Sequence, residues 1–530
     1  MGGKKVSHTP NSLAIILLAQ QTQPRTVNII TYQPVLRPAL PNVYGPQEYR
    51  ETRALYERMD CILRVSGLEQ EFINLALGDQ QIDLATTSPK QLERFANFSV
   101  MALRANIARD LTGLAHRPFC TQLADSTLLQ WFVQVGQLDA IQTFAKSTSD
   151  RFTRWVSEES VRRINERLTA LLAVVEPATG AAASPAVSFG LPEPLTFSEV
   201  FFDSTCLKAN IHFPVDWVLL RDAARTLMKA TVLIRKAGLK TRMPQEPLEF
   251  LSDMNTLCMK MSASRRAVDS KKRRKQVLRE MKALERRIAG HARAHLDALR
   301  TRHEKTNLTA GEVQVIIQRM EGVLKQLPAA IKQAHERIIG ERKVANEDKI
   351  LSLYDEDINV IVRGKAGAEV EFGNKLWLGE SNEGFIVDYK LYQDNPSDAA
   401  LVKPAIQRLV VEQDIEVKHV WGDRGLASKH NKELLESMEI RDGLCPRDVA
   451  ELTKRLDGEP GFRAGLKRRA GTEARIGIFK NVFMGRPAPA KGFVHRELAV
   501  GWAVLTHNLW VVARLAEAEC QRQAKAAEAA

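Results

Sequence analysis

Apolar residues recur at spacings of three and four in "ALYERMDCILRV", "FSVMALRANIARDLTGL" and "SEESVRRINERLTALLAVV". That period lines one face of a helix, so residues 49–178 are expected to form an all-helical domain. Ser157, followed by Glu158 and Glu159, supplies the capping hydroxyl and early acids that suit the start of the last helix. The intervening "LADSTLLQWFVQVGQLDAIQTFAKSTSDRFTRWVSEESV" reads as short helices with polar turns, compatible with a helix-turn-helix or a plain helical bundle. Residues 1–48, rich in Pro, Gln and Thr and lacking a helical period, predict a mostly flexible arm. "EPATGAAASPAVSFGLPEP" is small and rich in Pro and Gly, and places a linker at 179–194.

The period then changes. "TFSEVFFDSTCLKANIHFP" carries β-branched and aromatic residues in short runs and predicts a strand at 199–204. Helix returns over 217–349, where Val277, Leu278, Met281, Leu284 and Ile288 are spaced for one buried stripe. "AEVEFGNKLWLGE" and "FIVDYKLYQ" flank the turn "SNEG" as a β-hairpin. "SDAALVKPAIQRLVVEQD" (helix), "EVKHVWG" (strand), "SKHNKELLESMEI" (helix), "RDGLCP" (strand) and "RAGLKRRAGTEARIGIFKNVF" (basic helix) follow. This order predicts an α/β class with a mixed sheet formed by 195–216 and 350–515, interrupted by a helical insertion at 217–349 and ending in a tail at 516–530.

Charge adds a partner. A net charge of +13 favours polyanions, and between positions 260 and 300 fourteen Lys or Arg stand against four Asp or Glu. Lys271, Lys272, Arg273 and Arg274 are the densest part of that helix and the candidates for gripping DNA backbone, with a solvated coiled-coil face as the plainer alternative. The six cysteines lack metal-finger spacing and fit reduced thiols in a cytoplasmic protein. The apolar run Leu13 to Ala19 is too short to span a bilayer, and "MGGKKVS" has Val6 where a myristoylation signal needs Ser or Thr.

Acids at strand ends are the candidate chemistry, because ligands gather where connections leave a sheet. Asp203 lies within "EVFFDST" and Asp423 closes "VKHVWGD"; if the two strands are neighbours, the carboxylates converge. Glu473 lies in the basic helix, with Arg469 four residues before it and Lys480 seven after, all on one helical face. Alone, Asp423 is a turn residue, Glu473 one half of an Arg–Glu pair, and Asp203 a costly buried charge. Together the three acids call for a compensating cation: Mg2+, with Mn2+ as substitute, takes carboxylate oxygens and leaves positions for phosphate. Two such ions can activate a water or 3'-hydroxyl and stabilise the leaving oxygen in displacement at phosphorus. Arg424, Arg468, Arg469, Arg475 and Lys480 are the nearby cations suited to phosphate. Asp355, Asp357 and Asp388 lack the strand-then-turn context and rank below Asp203; Asp216 and Asp222 read as supporting residues, His507 and Asn508 as packing and capping groups.

These residues resemble bacterial insertion-sequence transposases with a DDE triad, of the ISNCY-like branch. The signature Tyr, two residues, Arg, three residues, Glu, six residues, Lys is met by Arg469, Glu473 and Lys480, with Leu466 in the tyrosine's place. "FFDSTCLKANIHFPVDWVLLRDAARTL" is similar to the family's first-aspartate segment, and "GDRGLAS" to its second-aspartate turn, with Leu426 replacing a tyrosine. "VRGKAGAEVEFGNKLWL", "NPSDAALV" and "GWAVLTHNLW" extend the similarity over roughly 195–515. The resemblance implies an RNase H-like domain with Asp203, Asp423 and Glu473 as metal ligands, and Arg469 and Lys480 as contacts to phosphates. It also implies action on terminal inverted repeats and target DNA as a dimer or higher multimer. Two other readings stay open: a DNA-binding protein acting by occupancy, and a nuclease of the same fold without strand transfer.

Overall fold

The computed structural model describes residues 31–34, 37, 39–40, 42–135, 143–173, 189–264, 268–365, 368–485 and 487–529. Most of the expected arm, and of the linker, lies outside the described residues. The described part of the arm is docked rather than loose: Arg37 pairs with Asp60 at 2.8 Å and lies over the Trp131 ring, while the Tyr32 amide donates to Gln70.

Among the described residues the helices that follow are α1 (Gln47–Val65), α2 (Leu68–Asp79), α3 (Pro89–Thr112), α4 (His116–Asp125), α5 (Thr127–Val133), α6 (Lys146–Thr153) and α7 (Glu158–Leu172). Ser88 and Gln91 form a capping box at the start of α3, and Ser157 caps α7 as its sequence predicts. Arg104, fully buried in α3, is balanced by Asp60 and Glu69, both at 2.6 Å.

Six strands build one mixed sheet: β1 (Glu199–Lys208), β2 (Asn359–Lys365), β3 (Ala368–Ser381), β4 (Ile386–Tyr392), β5 (His419–Gly422) and β6 (Arg441–Leu444). β3 is central. It pairs antiparallel with β1 on one edge, and with β2 and then β4 along the other. β5 and β6 extend the sheet beyond β1, both parallel to it. The carboxyl ends of β1, β4, β5 and β6 therefore share one rim. β2 was not anticipated from the sequence pattern.

Between β1 and β2 the insertion forms α8 (Asp216–Lys236), α9 (Pro247–Ala263), α10 (Ser270–Arg302) and α11 (Ala310–Ala334). Its own core holds Leu220, Leu227, Phe250, Met281, Ile288 and Met320, so the stripe read from "VLREMKALERRI" is buried as expected. After β4 come the short α12 (Val402–Ile406), α13 (Lys429–Ser437) between β5 and β6, α14 (Val449–Gly458) and α15 (Phe462–Ile478).

The chain ends in α16 (Phe493–Ala529), which continues through the segment expected to be a tail. It is long and apolar enough to cross a membrane, but 78% of its apolar window is buried inside the protein. Trp502 packs on Phe72 and donates to Thr153 O, Asn165 of α7 donates to Gly501 O, and Asn508 pairs with both backbone groups of Ile386. One core thus runs from Tyr56 through Val200, Phe202 and Trp377 to Ala516, joining the amino-terminal helices to the sheet.

Candidate active site

Parallel pairing of β1 with β5 aligns Glu199 with His419, Val200 with Val420 and Phe201 with Trp421. Carried two residues further, that register sets Asp203 opposite Asp423. The rings of Phe201 and Trp421 stack at 6.2 Å with planes 12° apart, and alternation along a strand puts Asp203 on the Phe201 face.

That face is covered by α15, which touches β1, β5 and β6. Gly465 lets it approach: a Cβ there would lie 2.0–2.3 Å from the Trp421 ring carbons. Phe201, Trp421 and Phe462 form the seat, Leu466 packs against it, and Arg468 lies 4.4 Å over the Phe201 ring. Further along, buried Glu380 at the end of β3 accepts from Thr472 Oγ1 at 2.8 Å, Arg468 at 3.1 Å and Arg475 at 3.4 Å. Arg468 and Arg475 also donate to Asn382 O at the hairpin tip. α15 is fastened on both sides of Glu473, whose side chain is left exposed.

Asp203 feels all of these groups. Burial is the largest force raising its pKa, from 3.8 to about 7, and the charges of Asp423 and Glu473 push the same way. The Ser204 amide, 2.7 Å from Oδ1, and the Arg469 guanidinium oppose them. The three acids and Arg469 share one field. They do not close on one point: among the described residues no three carboxylate, imidazole or thiol groups stand ready to hold a metal ion.

Asp423 is also a turn-former. Its Oδ1 accepts from the amides of Gly425 at 2.9 Å and Leu426 at 3.2 Å. Leu426 is buried beneath that turn against Gly422, where a Cβ would meet Leu426 Cδ1 at 2.5 Å. Leu426 and Leu466 therefore both fill apolar seats.

Several expected phosphate contacts are placed otherwise. Lys480 was expected on the face of Arg469 and Glu473, but it lies past the end of α15, in a π-helical turn over Phe479–Met484. Its ammonium is buried and donates to Thr205 Oγ1 at 2.9 Å and Cys206 O at 2.6 Å. Arg475 is engaged by Glu380 and the hairpin tip. Arg274 lies against the Trp217 ring at 5.2 Å, at the edge of the insertion core. Lys271, Lys272 and Arg273 are exposed on α10; Lys271 pairs with Glu341 and Arg273 with Asp269, contacts weak enough in water to exchange for phosphate. Arg424 is exposed beside Asp423.

The sequence reading missed Arg447, which donates to the carbonyls of Arg424 and Gly425 and pins the Asp423 turn. It also missed Asp398, in the connection after β4. Their only sequence signal is position: each follows the carboxyl end of a strand on the shared rim.

The acids ranked lower have structural partners. Asp355 pairs with Arg496; Asp388 accepts from Trp377 Nε1 and Arg408; Asp216 accepts from Gln333 and Arg337. His507 sits among Phe479, Phe483 and Trp510, and burial lowers its pKa to about 4. All six cysteines are free.

Compared with known proteins, the chain matches no family model, no curated protein and no solved structure.

The raised pKa of Asp203 gives a stability prediction with a definite sign. A carboxyl titrating near 7 when folded and near 3.8 when unfolded contributes its full stability below the lower value and loses it as pH rises through the upper one. In chelator, Asp203→Asn is therefore expected to gain on the wild type between pH 4 and pH 8, by on the order of a few kcal/mol. Urea midpoints at the two pH values measure the gain; an equal gap at both contradicts it.

Proposed function

We propose that the protein is a DDE transposase of an insertion sequence, of the ISNCY-like kind, acting in the cytoplasm on nucleoid DNA as a dimer or higher multimer. The observation that carries this reading is the nearness of Asp203 on β1 to Asp423, which directly follows the parallel strand β5, with Glu473 and Arg469 on the helix above also acting on the Asp203 charge. The RNase H-like reading of the domain is supported by one mixed sheet, ordered β2-β3-β1-β5-β6 with β4 also paired to β3, in which Asp203 lies in β1 beside the end of β5.

Mg2+ suits the donor set by its chemistry. Asp203 is held near neutrality by burial and two neighbouring carboxylates, an excess of negative charge that a divalent cation relieves. Asp203, Asp423 and Glu473 would hold it. When bound, the ion supplies an activated water or 3'-hydroxyl and a counter-charge for the leaving oxygen. The chain's own part is to fix those acids on β1, β5 and α15, and to offer Arg469 and Arg424 to the flanking phosphates.

The insertion supplies backbone affinity. Lys271→Ala, Lys272→Ala and Arg273→Ala together are expected to weaken binding to all DNA sequences alike and to flatten the salt dependence by about one unit of slope per lost phosphate contact. Fluorescence anisotropy over a KCl series reads both quantities. An unchanged slope would assign the charged face of α10 to solvent.

The activity test is cleavage and joining of a DNA fragment carrying the sequences that flank the gene. Cuts with joined products in Mg2+ support the transposase; cuts without joining indicate a nuclease; binding without cuts indicates action by occupancy.

A further inference from the structure

Asp398 stands between β1, which carries Asp203, and the turn that carries Asp423, and its own hydrogen bonds run to β1 and β3. Its Oδ1 accepts from Ser204 Oγ at 2.8 Å, and Ser204 is the residue after Asp203 on β1. The same oxygen accepts from Lys375 Nζ at 2.8 Å; Lys375, on β3, also donates to Pro396 O. Lys375 is buried and balances the charge of Asp398, so the acid adds little net charge to the rim.

On its other side Asp398 meets the Asp423 turn. A Cβ built on Gly425 would lie 3.1 Å from Asp423 Oδ1 and 3.3 Å from Asp398 Oδ2, so the two carboxylates flank the same bare Cα. Asn431, which is 1% exposed, fastens the two segments together by donating at 2.8 Å to both Ala399 O and Leu426 O. Ser204, Lys375, Asp398 and Asn431 thus link β1, β3, the connection after β4 and the turn after β5.

We propose that Asp398 is a positioning residue: the strut it forms with Lys375, Ser204 and Asn431 fixes the separation of Asp203 and Asp423. The inference deepens the metal-site reading and rests on it for its consequence, but the strut is testable without a metal. Asparagine at 398 keeps an oxygen acceptor for Ser204 and Lys375, whereas alanine removes it.

The experiment uses the full-length protein and two readouts. In chelator, hydrogen exchange is followed at the amides of Ser204, Gly425 and Leu426, which the two aspartates hold. Separately, Mn2+ binding is followed by electron paramagnetic resonance. Asp398→Ala is expected to speed exchange at all three amides and to raise half-saturating Mn2+ about tenfold, the size typical for residues that orient ligands from behind. Asp398→Asn, which keeps the acceptor but leaves the Lys375 charge uncompensated, is expected to exchange more slowly and bind Mn2+ more tightly than Asp398→Ala. Lys375→Met, which cuts the strut from the other side, is expected to behave like the alanine variant and serves if that variant fails to fold.

Unchanged exchange in Asp398→Ala and Lys375→Met overturns the strut. Weak Mn2+ binding in both Asp398 variants with unchanged exchange overturns it too, by assigning Asp398 a direct charge role. No Mn2+ binding by the wild type refutes the metal reading alone, and the exchange data then decide the strut by themselves.

Discussion

Asp203→Asn and Asp423→Asn are expected to bind DNA with wild-type affinity and to cleave it more slowly by on the order of 10²–10³-fold or more, the scale for losing a principal electrostatic group. Both substitutions keep the size of the side chain. Asp423→Asn keeps an oxygen for the amides of Gly425 and Leu426, so the turn holds while the charge is lost. Asp203→Asn removes a carboxyl whose ionisation opposes folding, so it should be at least as stable as the wild type at neutral pH. Loss of activity in these two variants is then a loss of chemistry rather than of fold. Glu473→Gln completes the set: it changes an exposed side chain on a helix fastened at Thr472, Arg468 and Arg475. A cleavage time course with binding measured in parallel separates the two effects, and normal cleavage by all three variants contradicts the assignment.

The largest stability effect is expected away from these acids, at Arg496. Its fully buried guanidinium bonds both oxygens of Asp355, with the Nη2–Oδ1 contact at 3.0 Å, and Asn374 Oδ1 at 2.9 Å. Asp355 lies where the chain returns from the insertion, Asn374 on β3, and Arg496 near the start of α16. Arg496→Met leaves the Asp355 carboxylate buried with no counter-charge and only the Gly492 amide to donate to it, and is expected to cost about 3–5 kcal/mol. Adding Asp355→Leu to it is expected to recover most of that loss, since the unpaired charge is then gone. Urea denaturation of the two variants measures this; equal loss in single and double variants would place the cost in packing instead.

The elements legible in the sequence are those with a strong period or a clear turn. The insertion helices were readable from one buried stripe, whereas β1, β3, β4 and β5 were readable as β-branched and aromatic runs bounded by turns, since β4, β5 and most of β3 are buried on both faces. β2 was not: "NVIVRGK" pairs through few residues, with a bulge, and leaves Val362 exposed. α14 was missed for its shortness: Val449, Leu452 and Leu456 stand at helical spacing over only ten residues, and Leu452 and Leu456 pack half-buried against the Phe201, Trp421 and Phe462 cluster. The amphipathic faces of α1 to α7 were legible as faces, but what covers them was not. α16 and the sheet do so, hundreds of residues away.

The acids divide in the same way. Asp203 and Asp423 were paired on the expectation that each closes its strand; Asp423 does follow β5, but β1 runs on to Lys208, so Asp203 lies mid-strand beside the end of the shorter β5. Lys480 could not be placed, because α-helical spacing carries only to Ile478, and the π-helical turn that follows sets the ammonium against Thr205 and Cys206 of β1. Asp398 had no periodic signal. Its role comes from Ser204, Lys375 and Asn431, three residues that only the fold assembles.

The most direct test of the central claim is incubation of the wild-type protein with DNA carrying the sequences that flank its gene, in Mg2+ and in chelator. The account predicts metal-dependent cuts that leave 3'-hydroxyl ends, and products in which those ends are joined to target DNA. Stable binding of that DNA with no cut in Mg2+ or Mn2+ would contradict it.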